Sequence, residues 1–320
     1  MNIIAPVKTA DSLGEFISLG VNEVYSGVVY KPWNDKFGQF VEYNRRGNYS
    51  ERANCKSMEE IKPIIDECNK KNVKFYFTMN ALKISEIQMF ILEKILEDLK
   101  NFNVAGIIVS DLNMVEFIAK KGFKSVASSC ANINNHYLAD LYIKGGCVKI
   151  IFPRYMSLFT MKRIAEFHPE IEYEAFIMNS GCRYVDGNCF CIHGTEFGCQ
   201  CITMDCAEYK YFKRDGKALS DDELYMMKNN RLEFQDLMFS ACGQCFIYDL
   251  LNIVDSVKIV GRVFDINILK RDIALTAKNL DIAQTCKSRE EYLAKMIVND
   301  KTICKDHKNC YYKFGGEYIG

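Results

Sequence analysis

The chain has 320 residues, 49% of them apolar, and its 41 Lys and Arg are balanced by 41 Asp and Glu. That apolar share is ample for a buried core, and the neutral balance argues against strong global attraction to nucleic acid or to an anionic membrane, leaving only a local basic groove open. Five prolines and no Gly/Ser-rich run argue against a flexible linker, no apolar run reaches the roughly 18 residues of a membrane span, and no repeat of solenoid period is present.

In chain order, short apolar runs alternate with amphipathic ones. Asn2–Ala5 reads as a strand and Ala10–Leu19 as a helix, followed by a strand-like Glu23–Ser26. A polar and aromatic stretch, Lys31–Cys55, precedes a helix over Ser57–Lys70, where Ser57 and Glu60 have capping-box spacing. Val73–Met79 is a strand, Glu86–Asn101 a helix, Gly106–Ser110 a strand and Asn113–Lys121 a helix. Ser125–Ser129, Val148–Phe152 and Ile171–Ile177 are further strands, separated by helices near Tyr137–Lys144 and Leu158–Phe167. After a cysteine-rich region come a helix near Phe246–Val254 and a strand at Ser256–Val260. The rest is helical to about Ile297, then polar and aromatic.

Mostly apolar strands alternating with helices predict a parallel sheet covered on both faces. Eight such units predict a closed (β/α)8 barrel, the alternative being an open sheet with one strand miscounted. No glycine-rich dinucleotide or phosphate-loop fingerprint follows the first strand, which weakens the open-sheet reading. Residues 1–265 read as the barrel, with a long cysteine-rich insertion (178–250) between strands seven and eight. Residues 266–320 read as a C-terminal helical segment and tail packed on it. An insertion at that place lies over the C-terminal rim, where barrel active sites sit.

Eight of the fifteen cysteines fall between Cys182 and Cys245, and six of them (Cys182, Cys189, Cys191, Cys199, Cys201, Cys206) lie within 25 residues. The chain start has no basic segment leading into an apolar one, so no signal peptide is expected and the chain reads as cytoplasmic. Fifteen is odd, so complete intramolecular pairing is impossible. Clustered thiolates in a reducing compartment point to a metal or an iron–sulfur cluster. Zinc is the main rival, through Cys242-x-x-Cys245 and Cys199-x-Cys201. A redox-active Cys-x-x-Cys before a helix is a third reading. Cys304 and Cys310 suit a tail contact. Cys55, Cys68, Cys130, Cys147 and Cys286 read as core residues.

At this point the chain resembles peptidase family U32, the collagenase-like peptidases. Glu174-Ala-Phe176-Ile-Met-Asn179-Ser180-Gly-Cys182, followed by Gly187-Asn-Cys189, resembles the family's Glu-x-Phe-x-x-Gly-Ser/Ala-x-Cys-x4-Gly-x-Cys. Ser50-Glu-Arg52-Ala53, Ile107-Ile-Val-Ser-Asp111-Leu112, Ser128-Ser-Cys-Ala-Asn132-Ile-Asn134-Asn135, Arg154-Tyr-Met-Ser157 and Ser256-Val-Lys258-Ile-Val-Gly261-Arg262 resemble its other segments, in order over about residues 1–265. The chain departs from the pattern at Met178-Asn179, where the family has His-Gly, and at Val260, where it has Glu. An acid–base role carried by either family residue would be absent here.

The resemblance implies more. Family members that hydroxylate ubiquinone precursors without O2, and those that hydroxylate RNA bases, look like iron–sulfur proteins. The positions matching their ligands are Cys182, Cys189, Cys206 and Cys245, separated by 6, 16 and 38 residues. Four thiolates suit the four irons of a 4Fe–4S cluster. The RNA hydroxylases resemble enzymes that draw oxygen from prephenate, a dicarboxylate. Arg52, Arg154 and Arg262 at rim positions could grip such an anion with paired hydrogen bonds, or pair with structural carboxylates. Arg45 and Arg46 are weaker candidates. Lys258 falls inside strand eight and could point into the barrel. Asn132 and Asn134 could bind substrate or cap a loop. His193 lies in the cysteine loop as a candidate proton donor or ligand. The leading expectation is an iron–sulfur, oxygen-independent hydroxylase-like enzyme acting on a small anionic or aromatic substrate. The alternatives are a tRNA or rRNA base-modification enzyme, a non-catalytic iron–sulfur subunit for a partner chain, and a peptidase. Neither His-Glu-x-x-His nor Gly-x-Ser-x-Gly occurs, and the only histidines are His136, His168, His193 and His307. Peptidase chemistry is therefore the weakest of these.

Overall fold

The computed structural model describes residues 1–38, 41–45, 51–182, 185–189, 217–218, 220–222, 241–298 and 309–312. Eight parallel strands close into a barrel in sequence order: β1 (Asn2–Pro6), β2 (Glu23–Ser26), β3 (Lys74–Thr78), β4 (Gly106–Val109), β5 (Ser125–Ala127), β6 (Cys147–Ile151), β7 (Glu172–Met178) and β8 (Ser256–Ile259). Register pairs β1 with β8 through Ile3↔Val257, which completes the ring. Among the described residues the helices are α1 (Ala10–Ser18), α2 (Lys31–Phe37), α3 (Met58–Lys70), α4 (Glu86–Leu99), α5 (Leu112–Lys120), α6 (His136–Lys144), α7 (Leu158–Phe167), α8 (Ile247–Leu250), α9 (Ile266–Thr285) and α10 (Arg289–Lys295).

Successive strand residues point to opposite faces, and the barrel sorts them into two cores. Outward-facing Ile3, Phe75, Ile107, Ala175 and Val257 pack with the helices in one continuous core. Inward-facing Ile4, Tyr25, Tyr76, Ile108, Val126, Ile151, Phe176 and Val260 form a second cluster inside the barrel. The helices turn their apolar faces to the sheet: Leu13 and Phe16 on α1, Ile61, Ile64, Ile65 and Cys68 on α3. Thr9 caps α1 in a reciprocal box with Ser12. The box expected at Ser57 is not formed, because Glu60 accepts from the backbone N–H of Lys56 instead (2.7 Å) and Ser57 makes no side-chain cap bond. The stretch read as irregular also contains α2, a short helix started by Pro32 and anchored by buried Trp33, whose Nε1 donates to the Val41 carbonyl (2.8 Å). Seven residues with one buried side chain leave too little periodicity to read.

The helix α9 follows β8 and packs on β1, β8 and α1, so it fills the eighth helix position of the barrel. A boundary at residue 265 would separate the last strand from the helix that covers it. The described tail residues, 309–312, also reach the barrel. Through its backbone, Cys242 forms isolated β-bridges with Met178 and with Cys310, and the Tyr312 hydroxyl donates to the Phe176 carbonyl (2.6 Å). Among the described residues no helix is long and apolar enough to cross a membrane.

The lumen carries an alternating chain of charges. Lys258 donates to Glu174 Oε1 (2.7 Å), and Lys149 lies 3.1 Å from Glu174 Oε2 and donates to Glu23 Oε2 (2.6 Å). Glu23 Oε1 accepts from Asn2 Nδ2 (2.7 Å) and stands 3.7 Å from Lys74, which pairs with Glu172 (2.7 Å) at the half-exposed N-terminal end. Glu23, Lys149 and Glu174 are essentially inaccessible to water. Ions so buried persist only when each has a close partner of opposite sign. Burial works to raise the Glu174 pKa, but Lys258 and Lys149 outweigh it and hold the carboxyl below the ordinary range. A depressed carboxyl stabilises the fold above its unfolded pKa and gives that up as pH falls through its folded value. Lys149→Met is therefore expected to cost about 3–5 kcal/mol at pH 7 by leaving Glu23 and Glu174 underpaired. Urea midpoints will show that loss shrinking as Glu174 protonates below about pH 4.

Candidate functional site

The C-terminal strand ends surround one cavity. Its floor is apolar, from Tyr25, Ile108, Ile151, Phe176 and Val260, with Lys258 set among them. Its walls are polar and come from the residues just beyond the strands.

One wall is organised by Arg262, which follows Gly261 (φ +126°) at the end of β8. Arg262 Nη1 donates to Asn54 Oδ1 (2.8 Å) and Thr78 Oγ1 (3.2 Å), and Nη2 to Asn44 Oδ1 (2.9 Å). Asn44 in turn donates to Asn54 Oδ1 (2.9 Å) and to Thr78 Oγ1 (3.0 Å). Arg262 thus clasps the segment between β2 and α3 to the barrel through neutral oxygens. Gly27 leaves room for this clasp: a Cβ there would lie 2.3 Å from Asn44 Nδ2 and 2.5 Å from Thr78 Oγ1. Gly27→Ala is expected to cost about 1–3 kcal/mol by overpacking, read as a lower urea midpoint.

The opposite wall is built on Arg154, just after β6. Its guanidinium pairs with Asp186 on the short turn Asp186–Asn188 and stacks 4.4 Å from the Phe176 ring centroid. Asp186 also accepts from Ser129 Oγ (3.2 Å). That turn packs closely on the β5 end because residue 187 is glycine; a Cβ would come 2.7 Å from Asn132 Cβ and 2.8 Å from the Cys130 carbonyl. Burial acts to lower the Arg154 pKa, but Asp186, Tyr311, Cys182 and Cys130 outweigh it and keep the group charged. Among the described residues its buried Nε has no hydrogen-bond partner. Arg45, a weaker candidate from sequence, also lines the cavity, pairing with Glu42 (2.8 Å) and donating to the Cys189 carbonyl (3.3 Å).

Three thiols line the same cavity: Cys182, Cys189 and Cys130. Cys130, read from sequence as a core residue, is half-buried there and lines the cavity; Cys55, Cys68 and Cys147 are buried. Burial, reinforced by Asp186, pushes the Cys130 thiol up to about 11 despite Arg45 and Arg154. Cys245 is not among the lining residues. It sits on the turn Gln244–Phe246, electrostatically coupled to buried Tyr292 alongside Cys242 and Cys286. Cys206, Cys191, Cys199, Cys201, His193, Cys304 and Arg46 lie outside the described residues. Among the described residues no three His, Cys, Asp or Glu side chains form a metal-holding group. Two of the four expected cluster ligands, Cys182 and Cys189, therefore share the cavity. The donors in place there, thiols beside two guanidinium groups, suit an anionic thiolate-held group.

The remaining candidates lie outside the cavity lining. Asn132, in the left-handed region (φ 55°), accepts from the Tyr155 hydroxyl (2.5 Å), which also accepts from Asn134 Nδ2 (3.4 Å). Arg52 is exposed in the turn before α3. At the departure from the family pattern, Asn179 (φ 65°) and Ser180 (φ 50°) are consecutive left-handed residues. Asn tolerates that region better than most residues, so Asn179 can stand where the family has glycine. Its Nδ2 donates to Asp272 Oδ2 (2.7 Å) on α9.

A closed parallel barrel with alternating helices is a (β/α)8 protein, and its apolar, cation-rimmed cavity opens at the strand C-termini, where such barrels bind ligands. The sequence model of peptidase family U32 matches residues 8–312, and the chain belongs to that family. It is 24% identical over 199 residues to a collagenase of Porphyromonas gingivalis, covering 59% of this chain and 44% of that protein. It is 26% identical over 189 residues to tRNA hydroxylation protein P1 of Bacillus subtilis, covering 58% and 40%. The chain thus spans less than half the length of these two curated relatives. A solved U32 peptidase structure superposes with a TM-score of 0.47 at 12% identity, over 82% of this chain and 93% of that one.

Proposed function

We propose that this chain is an oxygen-independent, iron–sulfur hydroxylase-like enzyme whose cavity takes a small anionic or aromatic substrate. The observation that carries the reading is the meeting of Cys182 and Cys189 with Arg154, whose buried Nε has no partner among the described residues, around one apolar floor. Cys182 and Cys189 would hold two corners of a 4Fe–4S cluster, with Cys206 and Cys245 as the other candidate ligands. Such a cluster supplies electrons one at a time. The chain's own residues do the rest. Arg154 supplies the positive charge that orients an anionic group, Phe176 and Tyr25 contribute aromatic surface to the cavity, and the apolar floor excludes water. Arg262 and Arg45 hold the walls. Anaerobic reconstitution is expected to load about four irons per chain, and Cys182→Ser and Cys189→Ser each to lower that content. Full iron content in both variants would remove the ligand assignment, and gelatin cleavage by metal-free protein would replace the reading with a peptidase.

A second reading keeps the site and changes the substrate to an RNA base, favoured by the relative described as a tRNA hydroxylation protein. Nucleoside mass spectrometry of RNA from a deletion strain separates the two. Loss of one hydroxylated nucleoside identifies RNA, and an unchanged profile a small molecule.

A further inference from the structure

The barrel holds two lysines that share one carboxylate and differ in everything else. Lys149 lies between Glu23 (2.6 Å) and Glu174 (3.1 Å), with Glu172 at 3.9 Å and the Tyr76 ring 5.0 Å from its Nζ. Burial acts to lower its pKa, but Glu174 and Glu23 more than reverse that, so Lys149 is locked as an ammonium. Lys258 lines the cavity, which Lys149 does not. Among the described residues its Nζ has a single hydrogen-bond partner, Glu174 Oε1 at 2.7 Å, and stands 3.9 Å from the Tyr25 ring centroid. An ammonium has three donors, so the end group at the cavity floor keeps bonding capacity that no described residue uses. Burial lowers its pKa in spite of Glu174, and Lys149 adds to the fall. A purely structural lysine in this chain looks like Lys149. Lys258 has the environment of a lysine whose neutral amine is within reach, the form that attacks carbonyl carbon.

The second half of the site is Arg154. Lys258 is the register partner of Phe176, and the Arg154 guanidinium lies on the Phe176 ring. The two cations therefore flank one aromatic floor residue, each with a donor that no described residue meets.

We propose that Lys258 captures a carbonyl compound as an imine, and that Arg154 selects compounds carrying an anionic group, so that an anionic aldehyde or ketone lies across Phe176. The ammonium first passes a proton to Glu174. The freed nitrogen lone pair forms a bond to the carbonyl carbon as the C=O π pair moves to oxygen, giving a carbinolamine. Glu174 returns its proton, the hydroxyl leaves as water, and a protonated imine remains. In sum, Lys-NH3+ and O=CR2 give Lys-NH+=CR2 and H2O, with no oxidant, reductant or net proton. The positive charge stays opposite Glu174, so the buried pairing survives the reaction.

The capture concerns the cavity of the proposed hydroxylase but needs no metal, and its readout is a carbon–nitrogen bond. It therefore succeeds or fails separately from iron loading. The full chain, metal-free, is incubated with one equivalent of 4-carboxybenzaldehyde and cyanoborohydride, which reduces the imine to a stable secondary amine. Peptide mapping by mass spectrometry locates it. The expected result is one adduct per chain, on Lys258, with benzaldehyde captured about tenfold less well for want of the charged hydrogen bond. Lys258→Arg, which retains a cation for Glu174, loses the adduct, and Arg154→Gln brings the two aldehydes level. Adducts confined to exposed lysines such as Lys31 and Lys62 would overturn the proposal. Equal capture of both aldehydes by wild-type Lys258 would overturn the part given to Arg154. The wild-type map decides both points even if a variant fails to fold.

Discussion

Glu174 occupies the middle of the barrel with an ammonium on each carboxylate oxygen, Lys258 on one and Lys149 on the other. These groups come from β6, β7 and β8, and Glu23 brings in β2 from across the ring. Three adjacent strands and one opposite strand must keep their register for any of the charges to be paired. In a site without water the penalty for a missing partner exceeds what most single contacts contribute. Closure of the sheet and neutrality of its lumen are thus one constraint. The same constraint leaves Lys258 as the last member of the chain, where the charged interior meets the cavity.

Above that layer the mouth is shaped by close approaches. Gly27 lets two asparagines and a threonine converge on Arg262, and Gly187 lets the turn bearing Asp186 settle onto the β5 end beside Arg154. The two arginines look alike in sequence and differ in use. Arg262 donates to neutral oxygens and fastens a loop, while Arg154 meets a carboxylate and a ring face, with its buried Nε unpartnered among the described residues. The strained pair Asn179 and Ser180 lies at the same rim, where backbone strain tends to collect near functional sites. The dedicated support from Asp272 and the tail tyrosine Tyr311 is what holds it.

Much of this was legible beforehand. All eight strands and their order follow from apolar runs of strand length between amphipathic segments, because burial on both faces of a parallel sheet imposes that pattern locally. The family motifs pointed to Arg154, Lys258, Cys182 and Cys189 as cavity residues, and the structure brings these four to one place. Two placements depend on the folded chain. Cys130, read as a core residue, sits where β5 has just ended and the chain turns across the mouth. Arg45 has no motif of its own and gains its place through Glu42 and the Cys189 carbonyl. The turn that carries Cys245 is anchored on α9, where Gln244 bonds Thr276 (2.7 Å) and Asn279 (3.0 Å).

By itself the sequence determined the class of fold, the number and order of its strands, and the residue types available at the rim. Those depend on side-chain periodicity and on neighbours close along the chain. Only the tertiary structure decided which arginine clasps a loop and which meets Asp186 and Phe176, which described thiols share the cavity, and that Lys149 sits between two carboxylates while Lys258 borders the cavity. Each of these turns on partners tens to hundreds of residues away, such as Arg262 with Asn44 or Lys149 with Glu23, brought together by barrel register and loop docking that no local pattern encodes.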